Sequence, residues 1–238
     1  MKNIQKIILV TGSNGQLATE FKFYKKKNNF KFIFVDKKKL DISKLTQLNN
    51  FFKLINIDII INCASYNQVD KAELEKNNAY KVNKQGVKNL INISKKLNIL
   101  LIHISTDYVF GGNSNIAYKE NDKVYPLSVY AKSKRAGEKL FLKLKPKGIL
   151  IRTSWLYSSF GSNFVKQIIK LSLKKEILEV VNDQFGTPTY ARDLAQAIII
   201  IISSKKFNTA CNNCEIFLLS NKGKSTWYEF AKFITKYK

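Results

Sequence analysis

The chain has 238 residues, 45% of them hydrophobic and 24% charged, which suits one large α/β core or a cofactor domain with a small appendage, and excludes a disordered or fibrous chain. A formal net charge of +24 invites a nucleic-acid reading, but only Arg135, Arg152 and Arg192 among the 41 basic residues are arginine, the side chain suited to bidentate phosphate recognition. The lysines are scattered along the whole chain among many Asn and Ile, a compositional drift that predicts weak, salt-sensitive attraction to polyanions and no specific nucleic-acid partner.

The first element is an apolar strand over residues 6–10, which leads into a glycine turn and lacks a signal peptide's cleavage pattern. The turn reads Thr11-Gly12-Ser13-Asn14-Gly15-Gln16-Leu17-Ala18, with helical spacing from 16 to 27 behind it. Glycines between a strand and a helix let the backbone approach a pyrophosphate, so Gly12, Asn14, Gly15, Gln16 and Leu17 are candidate cofactor contacts. A second strand, 31–35, ends at Asp36, 21 residues after Gly15; a carboxylate about 20 residues on is placed to bind an adenosine ribose. That favours NADH, whereas Lys37, Lys38 and Lys39 suit the 2′-phosphate of NADPH, and both coenzymes stay open.

A helix over 43–54 precedes a strand over 57–62, which runs into the small residues Cys63, Ala64 and Ser65. A helix over 80–97 and a strand over 99–104 follow, and that strand ends in Ser105-Thr106-Asp107-Tyr108. A helix over 128–144 and a strand over 148–152 complete the alternation. The pattern predicts an α/β fold with a doubly wound parallel sheet of the Rossmann type, ligands lying at the carboxyl ends of the strands. Residues 1–152 read as the dinucleotide-binding domain. Beyond them come a helix over 163–173, a short strand near Glu179, a Gly/Pro loop, a helix from Ala191 and a strand over 215–219, so 153–238 reads mainly as a small, interleaved substrate lobe. Cys211 and Cys214 form a lone C-x-x-C without a second pair or a neighbouring histidine, so no metal or redox site is expected there. The apolar stretch 195–202 is too short to cross a bilayer, and a soluble, cytoplasmic protein is expected.

The helix over 128–144 carries Tyr130-Ala131-Lys132-Ser133-Lys134. Residues four apart share a helix face, so the phenol and the ammonium address one small volume, beside the hydroxyl-rich end of the preceding strand. With the glycine turn and Ser105-Thr106 in this order, the chain resembles the extended short-chain dehydrogenase/reductases, and among them the dTDP-4-dehydrorhamnose reductases. The resemblance covers nearly the whole sequence: TGSNGQLA, LDIS at 40–43, NCASYNQVDKAE from Asn62, STDYVFGG, YAKSKRAGE, RTSWLY from Arg152 and NDQFGTPTYARDLA from Asn182.

The resemblance implies reduction of the 4-keto group of dTDP-4-dehydro-L-rhamnose, giving dTDP-L-rhamnose, by hydride from NADPH or NADH. It makes Tyr130 the proton donor, Thr106 the hydroxyl that polarises the keto oxygen and Lys134 the holder of the nicotinamide ribose. Asp36, Asp41, Ile42, Cys63, Ala64 and Ser65 join the glycine turn as cofactor contacts, and Asp107, Tyr108 and Trp155 become substrate contacts. A cation about 4 Å from a phenol contributes on the order of 4 kcal/mol at an effective dielectric near 20, enough to draw its pKa down by about two from a value near 10. Dehydratases of this fold place two acids after the threonine, whereas here Tyr108 follows Asp107. An epimerase and a non-catalytic regulatory subunit of the methionine adenosyltransferase type are the alternatives. Relatives continue some tens of residues past the stretch that ends at Lys238, which implies either a shortened substrate lobe or a fragment of a longer chain. Some relatives dimerise through magnesium held by glutamates; Glu20 matches one position but Arg192 occupies another, so a monomer or a homodimer without a bridging metal is expected.

Overall fold

The computed structural model describes residues 5–24, 30–112 and 116–237. Five strands come first: β1 (Lys6–Thr11), β2 (Phe30–Val35), β3 (Ile59–Asn62), β4 (Leu100–Thr106) and β5 (Gly148–Thr153). Short strands follow, β6 (Leu156–Tyr157), β7 (Phe185–Gly186), β8 (Thr189–Tyr190), β9 (Ile216–Leu218) and β10 (Ser225–Thr226). The helices are α1 (Gln16–Glu20), α2 (Leu45–Leu54), α3 (Val69–Leu74), α4 (Lys76–Tyr80), α5 (Val87–Leu97), α6 (Val129–Leu144), α7 (Phe164–Ser172), α8 (Ala191–Ser203), α9 (Phe207–Asn213) and α10 (Trp227–Lys236).

One sheet in the order β2-β1-β3-β4-β5-β9 forms the centre, and every pairing in it is parallel. Successive side chains on a strand point to opposite faces, so each strand feeds two cores. Ile8, Val10, Ile59, Ile61, Ile102, Ile149 and Ile151 pack with residues of α1, α8 and α9, whereas Leu9, Ile60, Leu101 and Leu150 pack with Leu48, Leu90 and Phe141 of α2, α5 and α6. Burying each such side chain contributes roughly 1.5–3 kcal/mol, which is why near-continuous apolar runs become strands covered on both faces. The strand order reverses between β1 and β3, and the crevice beyond their carboxyl ends is where such sheets bind ligands.

The expected doubly wound sheet forms. The helix expected over 16–27 ends at Glu20 and continues as a tighter 3₁₀ turn, Phe21–Tyr24; residues 25–27 lie outside the described residues. The helix expected over 80–97 is preceded by α3 and α4 and opens into a wide π-helical turn, Lys81–Gly86, before α5. No strand forms near Glu179. Leu178 and Val180 pack on the small cluster of Ile168, Ala231 and Ile234 between α7 and α10, but the backbone there meets no neighbouring strand, and the antiparallel pairing in this region is between β7 and β10. From 153 onward, α8, α9 and β9 belong to the main sheet, so the smaller lobe consists of α7, α10 and the short strands β6, β7, β8 and β10.

Candidate active site

A cavity of about 880 Å³ opens over the carboxyl ends of β1, β3, β4 and β5. Its floor is the glycine turn. Gly12 has φ +66°, and a Cβ built on it would lie 2.7 Å from the Ala64 Cα, so only glycine lets β1 turn beside β3. The Gly15 N–H closes the turn on the Gly12 carbonyl at 2.9 Å, and Ala18 is fully buried against the sheet. Gly12 and Gly15 put no Cβ into the turn, and the cavity stands directly over it, so these residues fit a bound dinucleotide. Gly12→Ala is expected to weaken coenzyme binding tenfold or more, since a left-handed alanine alone costs roughly 1–2 kcal/mol and the clash adds to it; calorimetric titration with NADPH reads this directly.

Above the turn, Ser105, Thr106, Asp107 and Tyr108 from the end of β4 meet Tyr130 and Lys134 of α6 in the same cavity. Ser128 caps α6, its hydroxyl accepting from the Ala131 N–H at 3.1 Å, which fixes the first turn that presents Tyr130. The Thr106 hydroxyl lies beside the Tyr130 phenol and acts to lower its pKa, and Thr106 Oγ1 donates to Asp107 Oδ1 at 3.2 Å and accepts the Tyr108 N–H at 3.3 Å. Lys134, 3% exposed, donates its ammonium to the Ile104 carbonyl at 2.7 Å. Phenol, hydroxyl and ammonium therefore line one space.

Burial sets the protonation of this cluster. It pushes the Asp107 carboxyl up to about 7 and the Tyr108 phenol up to about 12, and it lowers Lys134 to about 8 against the opposing pull of the Glu138 carboxylate. The lowered Tyr130 pKa expected from a neighbouring ammonium is not found. Burial raises the phenol, and the Thr106 hydroxyl offsets only part of that. Tyr130 is thus held as a neutral phenol, the form that can give up a proton.

The remaining expected cofactor contacts divide. Asn14, Gly15, Gln16, Leu17, Cys63 and Ser65 line the main cavity. Asp36 and Asp41 instead line an adjoining hollow of about 490 Å³ with Asn14, Lys37, Lys38, Lys44 and Gln47. The Asp36 carboxyl is held below its usual range by the Lys39 backbone N–H and the Asn14 amide. Burial raises Asp41, but hydrogen bonds from the Ser43 hydroxyl and N–H outweigh it. Ala64 lines neither space and meets the turn through its backbone, its N–H donating to Thr11 Oγ1 at 3.3 Å. Ile42 departs furthest: its side chain is buried in the core, where a Cβ on Gly86 would meet it at 2.7 Å, so it offers a ligand only backbone.

On the opposite wall Trp155 lies flat against Trp227, ring centroids 3.5 Å apart and planes 9° from parallel. Trp155 sits at φ +42°, and Gly186 lies so close that a Cβ there would be 2.3 Å from the indole. Both indoles line the cavity. Sequence reasoning missed Trp227, whose place depends on β10 pairing with β7 and α10 packing on α7. It also missed Thr153, which pairs in register with Thr106 and whose buried hydroxyl has no partner among the described residues.

Two buried polar groups hold this arrangement from behind. The Asn83 side chain, in the π-helical turn, accepts from the Tyr66 N–H and donates to the Tyr66 carbonyl and to Ser133 Oγ, each at 2.9 Å. Glu138 accepts from Ser105 Oγ at 2.6 Å, from Arg152 at 3.0 Å through each of Nε and Nη2, and from Arg135 at 2.9 Å. Elsewhere, Glu20 is occupied within the chain by Ser158 Oγ at 2.7 Å and Arg192 Nε at 2.9 Å. Cys211 and Cys214 are free thiols that pack into opposite core clusters.

A parallel sheet with a glycine cradle at its switch point, and a Tyr-x-x-x-Lys helix beside a threonine in the same cavity, define an NAD(P)-dependent oxidoreductase of the extended short-chain dehydrogenase/reductase class. The family described as RmlD substrate binding domain matches residues 5–238. A dTDP-4-dehydrorhamnose reductase of Aggregatibacter actinomycetemcomitans is 39% identical over 225 residues, 94% of this chain and 76% of its own length. The crystal structure of a dTDP-4-dehydrorhamnose reductase from Bacillus anthracis in complex with NADP superposes with a TM-score of 0.90 at 37% identity, covering 100% of this chain and 82% of that one. One from Clostridium acetobutylicum gives 0.89 at 39%, covering 97% and 79%. The chain belongs to the dTDP-4-dehydrorhamnose reductase family.

Proposed function

We propose that this protein reduces the 4-keto group of dTDP-4-dehydro-L-rhamnose to give dTDP-L-rhamnose, using NADPH or NADH, as a monomer or homodimer in the cytoplasm. The observation that carries the reading is the convergence of Tyr130, Thr106 and Lys134 on the cavity that the glycine turn floors. The names of the relatives give the sugar, and three unpaired thiols suit a reducing compartment. Gly12, Gly15 and their neighbours would hold the coenzyme's pyrophosphate, and Asp36, Asp41 or the adjoining lysines its adenosine end. When bound, the coenzyme supplies the hydride that reduces the keto carbon.

The chain's own residues do the rest. Tyr130 gives its phenolic proton to the keto oxygen as negative charge builds there, and the Thr106 hydroxyl stabilises that charge with a second hydrogen bond. Lys134, a cation at neutral pH with its stem buried, holds the nicotinamide ribose and lends positive charge to the site. Trp155 and Trp227 offer the sugar or base a flat apolar wall that keeps water from the reacting carbon. Asp107 lacks the following acid that elimination of water requires, its neighbour being Tyr108.

Coenzyme absorbance followed with dTDP-4-dehydro-L-rhamnose present is expected to fall with turnover, and the sugar product to co-migrate with dTDP-L-rhamnose. Coenzyme that binds but is never oxidised would instead point to a regulatory binding subunit.

A further inference from the structure

Beside the coenzyme cradle runs a line of buried polar side chains that the chemistry of the site does not use. Thr11, Asn62 and His103 are direct neighbours across the parallel pairings of β1, β3 and β4, and all three are buried. The Ala64 N–H donates to Thr11 Oγ1 at 3.3 Å, and the Thr11 hydroxyl donates to Asn62 Oδ1 at 2.7 Å. The Asn62 amide nitrogen lies 3.0 Å from His103 Nδ1. The line ends on α6, where the Phe141 ring stacks on the imidazole with centroids 6.2 Å apart.

The order of donors assigns the imidazole's proton. Thr11 already occupies the Asn62 oxygen, so the NH2 group faces the ring and Nδ1 must accept. The ring's own proton then sits on Nε2, which is buried and has no partner among the described residues. Burial, and after it the Lys134 ammonium, draws the imidazole pKa well below its usual range and keeps the ring neutral. A buried N–H without an acceptor costs stability, and an apolar side chain in the same place would avoid that cost. What the imidazole supplies in return is one acceptor aimed at Asn62. Through Asn62 and Thr11 that acceptor governs how Ala64 sits against the glycine turn, where a Cβ on Gly12 would come within 2.7 Å of the Ala64 Cα.

We propose that His103 is a positioning residue for the coenzyme: its Nδ1 fixes the Asn62 amide, the amide fixes Thr11, and Thr11 holds the end of β3 against the turn that receives the pyrophosphate. With its ring face on Phe141, the same side chain sets the cradle in register with the helix that carries Tyr130 and Lys134. The proposal rests on the coenzyme part of the reading above, and His103 meets neither the keto sugar nor the transferred hydride.

Two substitutions at this one position test it. His103→Leu puts a methyl group where Nδ1 stood, whereas His103→Asn puts there an oxygen that accepts from Asn62. Stability should favour leucine, because asparagine leaves a gap beside Phe141 and adds a buried amide N–H without a partner. Coenzyme affinity should favour asparagine. Calorimetric titration with NADPH is expected to show binding weakened about fivefold or more in His103→Leu, the worth of one lost hydrogen bond, and largely restored in His103→Asn. At saturating NADPH, kcat should stay near the wild-type value in both, the loss falling on the coenzyme KM. Thr11→Val cuts the same line at its other end, so adding His103→Leu to it should weaken NADPH binding no further. The chain has one histidine, which makes nitrogen-15 spectra of its ring unambiguous: Nδ1 should be bare and Nε2 protonated, with no titration as pH falls through the ordinary 6.5.

A proton on Nδ1, NADPH affinities that follow melting temperature from leucine to asparagine, or losses that add in the double variant would each overturn the proposal. A wild type that binds neither NADPH nor NADH overturns the coenzyme reading itself, and this proposal with it.

Discussion

Replacing Tyr130 with phenylalanine is expected to lower kcat by about 10²–10⁴-fold, the range that a positioned general acid contributes, while NADPH binds with nearly unchanged affinity. The substitution removes one oxygen. Thr106 keeps its bonds to Asp107 and to the Tyr108 N–H, so no buried hydroxyl is orphaned and the stability cost should stay within about 1.5 kcal/mol. The edge-to-face packing of Tyr108 on the ring, centroids 5.9 Å apart, survives in phenylalanine. Steady-state kinetics with the keto sugar, beside calorimetry with coenzyme alone, separates chemistry from binding. Equal turnover by both proteins would remove the phenol from the reaction, and loss of coenzyme binding in the variant would make Tyr130 a structural residue.

Much of this site could be read from sequence because local rules govern it. The glycine turn is legible since only glycine tolerates the φ of Gly12 and its approach to Ala64. Tyr130 and Lys134 are legible since a helix places residues four apart on one face. What escaped depends on elements distant in the chain. Glu138 joins α6 to β4 and β5, Trp227 reaches Trp155 across 72 residues, and the contacts of Asn83 depend on a π-helical turn that apolar spacing does not announce. The direction of the Tyr130 pKa escaped for a related reason. Spacing puts Lys134 on the right face, but only the packed structure shows that its ammonium donates to the Ile104 carbonyl and that burial governs the phenol. Ile42 shows the converse, a residue that motif matching brings to the cofactor but whose side chain the packing of Gly86 claims.

Glu138→Ala is expected to be the most destabilising of these changes, costing about 3–5 kcal/mol, because it leaves a buried guanidinium without its counter-ion. Glu138 is fully buried and Arg152 is 2% exposed; in the variant Arg152 keeps, among the described residues, the Glu120 carbonyl at 3.2 Å and the face of the Phe110 ring 4.9 Å away, neither of which carries a countercharge. For a chain of this size each kcal/mol lowers the melting temperature by about 2–4 °C, so thermal unfolding should shift down by roughly 6–20 °C. Replacing both partners by methionine should recover much of the loss, since the cost lies in the unpaired charge more than in the missing bridge. The gentler Glu138→Gln keeps the shape and tests the electrostatic link to the site. The Glu138 carboxylate supports the Lys134 cation against burial, so a neutral amide should lower the Lys134 pKa further, and the fall in kcat that begins near pH 8 should move toward neutrality. Unfolding of Glu138→Ala at the wild-type temperature, or a Glu138→Gln profile that does not move, would show that Glu138 only fills space behind β4 and β5.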